Sequence, residues 1–261
     1  MGVQYARHKM AKRGCKMVDL KESTVLVVDD EPDLCDMVAF EFKLQGSRVF
    51  AANNGRSALG IVESHHVNAV ITDIRMAGYN GIELLDNIRS RNISDPAVFF
   101  ITAYESDLAP SEAYHRGAEG IFPKPFSLKS LVDNVQKVLA PPKERWAHRP
   151  ASMPAWIIER QFPSVEEARE ESLLQLGRGG FALTTIGERP RVGELTGFKF
   201  VLKDPELPLI EGTGTVRWVR PSLRGDTCVS GIEFDYLSDA CRSNVLDWID
   251  AQHFVAYIPR M

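Results

Sequence analysis

Between residues 23 and 140, short apolar runs alternate with stretches whose apolar residues recur at helical spacing. The apolar runs predict strands at 24–28, 48–51, 69–72, 97–101 and 121–122. The stretches between them predict helices that begin near 32, 56, 82, 106 and 128. Five successive strand–helix units predict an α/β domain, in which a doubly wound, five-stranded parallel sheet carries helices on both faces.

After residue 140 the pattern changes to the alternation typical of strands. Candidate strands lie at 156–159, 173–176, 181–185, 197–203, 212–220 and 228–234, and 204–208 is interpreted as a hairpin loop. A helix at 238–257 follows, for which Ser238 or Asp239 is the expected N-cap. These elements predict a small, mainly antiparallel β-barrel with a C-terminal helix.

Composition divides the chain into four parts. Residues 1–22 are interpreted as a basic flexible tail, 23–140 as the α/β domain, 141–155 as a proline-rich charged linker, and 156–261 as the barrel domain. The 261 residues are enough for two ordinary domains, and 44% hydrophobic and 25% charged residues are typical of a soluble globular protein. The net charge of −4 gives no case for nucleic acid.

Four cysteines are scattered through the chain without the paired spacing of zinc or redox sites. Free thiols in a reducing compartment are therefore expected, which favours a cytoplasmic protein. No apolar run approaches the length of a membrane span, so membrane insertion is not expected.

Polar side chains stand at the ends of four predicted strands. Asp29 and Asp30 follow the first strand, Asp73 the third, Thr102 the fourth and Lys124 the fifth. Parallel strands place such residues in one crevice, where three carboxylates repel each other unless a cation lies among them. Oxygen ligands of this kind suit Mg²⁺. The pattern indicates phosphoryl transfer, with Asp73 as the nucleophile that forms an aspartyl phosphate. Singly, each acid could equally be a solvated loop residue or a helix cap.

Residues 23–140 resemble the receiver domain of a bacterial two-component response regulator. The resemblance rests on Val-Val-Asp-Asp-Glu-Pro at 27–32, Asp-Ile-Arg-Met-Ala-Gly-Tyr-Asn-Gly at 73–81, Ile-Thr-Ala at 101–103 and Lys-Pro-Phe at 124–126. It implies a flavodoxin-like fold, a sensor histidine kinase as phosphodonor, and a homodimer through the receiver. The implied site comprises the phosphoacceptor Asp73, the Mg²⁺ ligands Asp29, Asp30, Asp73 and the main-chain carbonyl of Arg75, and the switch residues Thr102 and Lys124.

Two positions depart from that family's pattern. Ala77 stands where proline is common, and Ile121 stands where the family usually carries the aromatic residue that moves inward on activation. The second departure leaves room for a different readout of the switch. The implied protein is a signalling switch rather than an enzyme, since a receiver catalyses only its own phosphorylation and dephosphorylation.

The region from about 145 to 261 resembles a PilZ domain, the family that binds cyclic di-GMP. Arg145 and Arg149 match its Arg-x-x-x-Arg motif, and a planar guanidinium can hold phosphate or the edge of guanine. The second half of the motif is degenerate, since Gln175 and Gly177 replace its acid or amide and its serine. The nucleotide-binding residues implied by the resemblance are Arg145, Arg149, Gln175, Arg178 and Gly180.

Two outputs remain open. The second domain binds cyclic di-GMP, or it has lost that ligand and signals by contact with a downstream protein, for which the helix at 238–257 is a candidate surface. Because no helix-turn-helix pattern follows the linker, a transcription factor that reads DNA is not expected. A phosphatase-like enzyme is disfavoured because no second catalytic acid accompanies Asp73.

Overall fold

A computed structural model describes residues 20–91, 95–103, 107–141, 144–187, 190–221 and 226–261. These residues form two domains, one built on a five-stranded and the other on a six-stranded sheet. Within the described ranges, no helix is both long and apolar enough to cross a membrane.

The first domain is the expected doubly wound α/β fold. Its strands are β1 Thr24–Val28, β2 Arg48–Ala52, β3 Ala69–Asp73, β4 Ala97–Thr102 and β5 Gly120–Pro123. They pair in parallel in the order β2-β1-β3-β4-β5. The helices are α1 Pro32–Leu44, α2 Gly55–Ser64, α3 Gly81–Arg91, α4 Pro110–His115 and α5 Leu128–Val138. The fold-class prediction for this half is confirmed.

The central strands explain why this half was readable from sequence. Every residue of β3 and of β4 is buried, because helices cover both faces of the sheet.

The ends of the helices are set by capping residues. The Asn54 side chain accepts a hydrogen bond from the main-chain N–H of Ser57 at the start of α2, and Ser127 does the same for Ser130 at α5. Gly46, at φ +89°, ends α1 in a conformation that other residues rarely adopt.

The second domain contains a curved mixed sheet. Its strands are β6 Ile157–Phe162, β7 Leu174–Leu176, β8 Gly180–Ile186, β9 Leu195–Leu202, β10 Leu209–Pro221 and β11 Thr227–Leu237. They follow the order β6-β9-β10-β11-β8-β7, in which β6 and β9 are parallel and the other neighbours antiparallel. In the described part of the chain β6 and β7 do not pair, so the sheet is a half-barrel and the expected closed barrel is not confirmed.

A cluster of phenylalanines fills the concave side of this sheet. Phe181, Phe198, Phe200 and Phe234 are at most 1% exposed, and the ring centroids of contacting pairs lie 5.0–5.7 Å apart. Trp146, inside the stretch interpreted as a linker, is also buried here, 5.0 Å from the ring of Phe234. The described end of that stretch is therefore anchored to the second core.

Three local predictions need correction. The helix α6, Val165–Glu170, was not predicted; Ser164 caps it. The last helix, α7, runs only over Arg242–Ala251 and begins after Cys241, so neither Ser238 nor Asp239 is its N-cap. The start is delayed because the main-chain N–H of Ser238 still bonds to Glu211 of β10. The helix predicted to begin near 106 begins only at Pro110, as α4, and residue 106 itself lies outside the described ranges.

Candidate functional site

Sheet register brings the four strand ends of the first domain to one edge. Val28 is opposite Thr72, Asp73 is opposite Ile101, and Thr102 is opposite Pro123. The residues that follow β1 and β5, Asp29 and Lys124, therefore lie beside the end of β3. The predicted constellation is assembled by strand pairing alone.

Lys124 is the centre of this crevice. Its Nζ lies 3.3 Å from an oxygen of Asp29 and 3.3 Å from an oxygen of Asp73. It is also 3.1 Å from the carboxylate of Glu31, which sequence reasoning had not assigned to the site. Glu31 is held in place because its main-chain N–H donates to Asp29 at 2.8 Å. One ammonium thus serves three carboxylates.

In keeping with this shortage of positive charge, the pKa values of Asp73 and Asp29 are raised. Asp73 is 6% exposed, and burial raises its pKa from 3.8 to about 6 despite the attraction of Lys124. The charges of Asp29 and Asp30 add to that rise. Burial also raises the pKa of Asp29. The crevice therefore favours an additional cation or a proton.

The carboxylates fit a hydrated magnesium ion. Within the described ranges no group of three or more His, Cys, Asp or Glu side chains is placed to hold a metal ion. Mg²⁺ does not need one, because it keeps several waters and is held by one or two carboxylates. Asp29 and Asp73 are buried, share one ammonium and are electrostatically unsatisfied, which suits such an ion. Asp30 is exposed at the rim.

Thr102 makes a contact that the sequence did not indicate. Its hydroxyl donates to Asp107 at 3.2 Å, and Asp107 also accepts from Arg75 Nε at 2.7 Å. The Asp107 side chain is 4% exposed, so this carboxylate is enclosed beside the crevice. Asp107 consequently links the expected switch residue Thr102 to the loop that follows Asp73.

The second domain covers the α4–β5–α5 side of the first. Ile121, which occupies the position of the family's usual aromatic residue, packs here with residues from both domains. The buried members of this cluster are Tyr114, Ala182, Trp218, Tyr257 and Ile258. The structure thus places Ile121 at the boundary between the domains.

Two buried carboxylates join the domains across this boundary. Glu119 of the first domain is 1% exposed and lies 2.6 Å from Arg178 of the second. Glu233 of the second domain is 0% exposed and lies 2.9 Å from Lys137 of α5. Lys137 also contacts Asp235 at 2.7 Å. The polarity is opposite in the two contacts, so they fix the docking orientation as well as attracting the domains.

Glu233 differs from Asp73 in being surrounded by donors. Burial favours its neutral form, but Lys137 and Arg217 outweigh burial and lower the pKa of Glu233 from 4.5 to about 2. Arg217 donates from Nε at 2.5 Å, and the Tyr257 hydroxyl donates at 3.3 Å. In the sequence, the charged Glu233 stands between the apolar residues Ile232 and Phe234, which could have marked it as a candidate, but it was not predicted as a functional residue.

Only part of the expected nucleotide-binding set comes together. A cavity of about 600 Å³ between the domains is lined by Arg145 and Arg178 but not by Arg149, Gln175 or Gly180. Arg149 is exposed and lies over the ring of Tyr236. Gln175 and Gly180 are strand residues of β7 and β8. Arg178 is bound to Glu119, and Arg145 lies near the Val138 carbonyl at 3.4 Å.

Comparison with known proteins identifies the first domain. The family model for the response regulator receiver domain matches residues 25–136. The regulatory protein AtoC of Escherichia coli is 39% identical over 115 residues, which cover 44% of this chain and 25% of AtoC. The probable transcriptional regulatory protein TcrX of Mycobacterium tuberculosis is 29% identical over 124 residues, covering 48% of this chain and 53% of TcrX.

A similar solved structure is the receiver domain of the Francisella response regulator 1452. It is 27% identical, covers 45% of this chain and 96% of its own, and has a TM-score of 0.42. The chain spans a quarter to about half the length of the curated relatives AtoC and TcrX. The family match coincides with the sheet and the acidic crevice described above. Residues 25–136 are a response regulator receiver domain.

Proposed function

We propose that this protein is a phosphorylation-controlled response regulator in which Asp73 accepts a phosphoryl group from a sensor histidine kinase and the second domain delivers the output. The observation that carries the proposal is the pairing of the buried carboxylates Asp29 and Asp73 around Lys124 at the carboxyl edge of the sheet. The chain acts as a cytoplasmic switch whose only chemistry is its own phosphoryl transfer and hydrolysis.

Asp29 and Asp73 would hold Mg²⁺, together with Asp30 and the main-chain carbonyl of Arg75. The bound ion supplies positive charge that offsets the carboxylates and the incoming phosphoryl oxygens. Asp73 has a pKa of about 6 and is mainly ionised at neutral pH, so a carboxylate oxygen is available as nucleophile. That oxygen attacks phosphorus, the bond from phosphorus to the donor nitrogen breaks, and the electron pair leaves on the nitrogen.

Two side chains then respond to the new group. Lys124, already 3.3 Å from Asp73, pairs with a phosphoryl oxygen. The Thr102 hydroxyl leaves Asp107 and donates to another phosphoryl oxygen. The phosphoryl group adds about 1.5–2 negative charges at one point. Movement of Thr102 and Lys124 reaches Ile121 through β4 and β5, and so alters contact with the second domain or dimerisation.

Labelling with a small phosphodonor tests the phosphoacceptor. The parent protein with Mg²⁺ is expected to gain one phosphoryl group by intact mass, and Asp73→Asn to gain none. Asp133→Asn is the matched control, because Asp133 is a half-buried acid of α5 that pairs with Lys129 rather than with Lys124. Equal labelling of Asp73→Asn and the parent would remove the proposal.

The second domain has two candidate outputs. Cyclic di-GMP binding is favoured by Arg145 and Arg178 lining one cavity at the domain boundary. Output by protein contact is favoured by the engagement of Arg178 with Glu119 of the receiver. In the first case a ligand must compete for Arg178, and in the second the domain boundary itself is the regulated surface. The second output needs no further ligand.

Calorimetry with cyclic di-GMP separates the two outputs. If the nucleotide binds in this cavity, the parent gives a signal that Arg145→Ala and Arg178→Ala abolish, whereas Arg56→Ala on the receiver's α2 retains it. A flat titration of the parent favours output by contact with a downstream protein. Asp73 labelling is unaffected by either result, so the two parts of the proposal are tested separately.

A further inference from the structure

Residues 255–260, after α7, run as an irregular segment between the two domains. The segment has no regular secondary structure, yet Tyr257 is 6% and Ile258 0% exposed. Its neighbours are α4 and the turn after it on the receiver side, and residues 177–180 on the other side. A segment buried in this way without regular secondary structure must have its main-chain polar groups satisfied by the surrounding chain.

Main-chain hydrogen bonds hold the segment on both sides. On the receiver side, the N–H of Tyr257 donates to the carbonyl of Tyr114 at 2.9 Å. On the other side, the N–H groups of Arg178 and Gly179 donate to the carbonyls of Ala256 and Tyr257 at 3.0 and 2.9 Å. The backbone of Tyr257 is therefore bound from both sides, and that of Ala256 from the second domain.

Three glycines make room for this approach, and we call the space they border the glycine slot. A Cβ at Gly117 would lie 2.6 Å from the carbonyl oxygen of Val255. A Cβ at Gly177 would lie 2.7 Å from the carbonyl oxygen of Tyr257. A Cβ at Gly179 would overlap the Tyr257 ring. Gly117 belongs to the receiver and the other two to the second domain, so the slot exists only when the domains are together.

Side chains fix the direction in which the segment lies. Tyr257 stacks on Tyr114 with a centroid separation of 6.4 Å and donates its hydroxyl to Glu233. Further along, the N–H of Arg260 donates to His115 Nδ1 at 3.2 Å, and the Arg260 guanidinium pairs with Glu112. The main-chain carbonyl of Val255 accepts a hydrogen bond from Arg178 Nε at 3.3 Å. The segment therefore occupies a shaped surface with an aromatic position and a basic position.

We propose that the glycine slot is a peptide-binding surface and that residues 255–260 are its internal ligand, which clasps the receiver to the second domain until phosphorylation releases it. Release frees the α4 side of the receiver and the N–H donors of residues 178 and 179 together. This proposal rests on the proposed phosphorylation only for its trigger. The binding surface itself is independent of that function.

Gly179→Ala in the full chain tests the clasp. The added methyl group cannot coexist with the Tyr257 ring, while the backbone at Gly179 has no left-handed conformation that would itself strain alanine. Hydrogen exchange at the Tyr257 amide is expected to accelerate about tenfold or more, because local opening becomes easier. The control is Gly60→Ala in α2, where nothing lies within 4 Å of the added Cβ. Unchanged exchange at Tyr257 in Gly179→Ala would overturn the proposal.

A double-mutant cycle and a peptide separate the clasp from general damage. In a Tyr257→Ala background, Gly179→Ala is expected to cause no further acceleration of hydrogen exchange at the amide of residue 257, because the ring that the added methyl group displaces is already gone.

A synthetic peptide with the sequence of residues 254–261 is expected to bind the glycine slot of Tyr257→Ala and to restore slow exchange at the amides of residues 178 and 179. The same peptide with alanine in place of tyrosine is not expected to do so. Equal effects of the two peptides would overturn the assignment of a peptide-binding surface.

The trigger is tested on the parent protein with a small phosphodonor and Mg²⁺. Phosphorylation of Asp73 is expected to accelerate exchange at the Tyr257 amide as Gly179→Ala does. If Asp73 is labelled and that amide stays protected, release by phosphorylation is wrong. If Asp73 is not labelled, the proposed function fails, whereas the peptide results still decide the clasp.

Discussion

The receiver crevice and the domain boundary are each built around a buried carboxylate, but the two carboxylates are treated in opposite ways. Asp73 is 6% exposed and shares one ammonium, that of Lys124, with Asp29 and Glu31. Glu233 is 0% exposed and has Lys137, Arg217 and the Tyr257 hydroxyl. The pKa of Asp73 is raised to about 6, and that of Glu233 is lowered to about 2.

Glu233 is the more deeply buried of the two and still has the lower pKa, so the number of compensating charges, rather than the degree of burial, decides the outcome. An under-compensated carboxylate gains from any further positive charge and is suited to accept a cation and a phosphoryl group. An over-compensated carboxylate stays ionised and anchors its partners. The contrast therefore separates a carboxylate suited to chemistry from one suited to holding domains together.

The largest expected effect is the loss of stability in Glu233→Ala. This change leaves Lys137 and Arg217 without their shared buried partner, which costs about 3–5 kcal/mol when one member of a buried ion pair is removed. Urea unfolding measures the change. Glu63→Ala is the control, since the Glu63 pair with Arg91 is exposed and worth about 0–1 kcal/mol. A loss as small as that of Glu63→Ala would mean that Glu233 is not the anchor.

Asp73→Asn is expected to move stability the other way. The asparagine keeps the shape but removes a charge whose pKa in the folded state is about 6 rather than 3.8. In metal-free buffer at pH 8, this relieves roughly 2–3 kcal/mol, at about 1.4 kcal/mol per pKa unit. Urea unfolding with a chelator present provides the measurement, and Asp133→Asn, at a half-buried acid paired with Lys129, is the control. A destabilised Asp73→Asn would contradict the claim that this carboxylate is under-compensated.

The pH dependence of stability sharpens the contrast, because the difference between variant and parent has opposite signs for Asp73→Asn and Glu233→Gln. For Asp73 the folded pKa is the higher one, so the advantage of Asp73→Asn is full above about 6 and vanishes as pH falls to 3.8. For Glu233 the folded pKa is the lower one, so the advantage of the parent over Glu233→Gln is full above 4.5 and disappears as pH falls through about 2. Parallel pH profiles would refute the contrast.

The receiver crevice was readable from sequence for a specific reason. Strands covered on both faces appear as continuous apolar runs, and parallel pairing brings their carboxyl ends to one edge whatever the helices do. Asp29, Asp73 and Lys124 therefore meet as predicted. Glu31 and Asp107 were missed because loop geometry, rather than strand pairing, brings them to the crevice.

The domain boundary was not readable in the same way. In β11, Ile232 and Phe234 face the phenylalanine core, so alternation puts Glu233 on the outer face, where a charge is ordinary. Lys137 of the receiver and Arg217 and Tyr257 of the second domain cover it there, and sequence periodicity within one strand carries no record of those contacts. The helix α6 was not predicted because only two of its residues, Val165 and Ala168, are buried, so its sequence shows little helical periodicity of apolar positions.

The smallest expected effect is on the acidity of Asp73 in Lys124→Gln. Removing the single ammonium leaves burial and the neighbouring carboxylates unopposed, so the pKa of Asp73 is expected to rise above 6 by about one unit. Carbon-13 NMR of the carboxyl group against pH, with a chelator present, measures the rise. Lys129→Gln is the matched control, since Lys129 is 82% exposed and pairs with Asp133. If Lys124→Gln leaves the pKa of Asp73 unchanged, that pKa does not depend on the Lys124 ammonium. The number of compensating cations then does not explain why the pKa of Asp73 is raised and that of Glu233 is lowered.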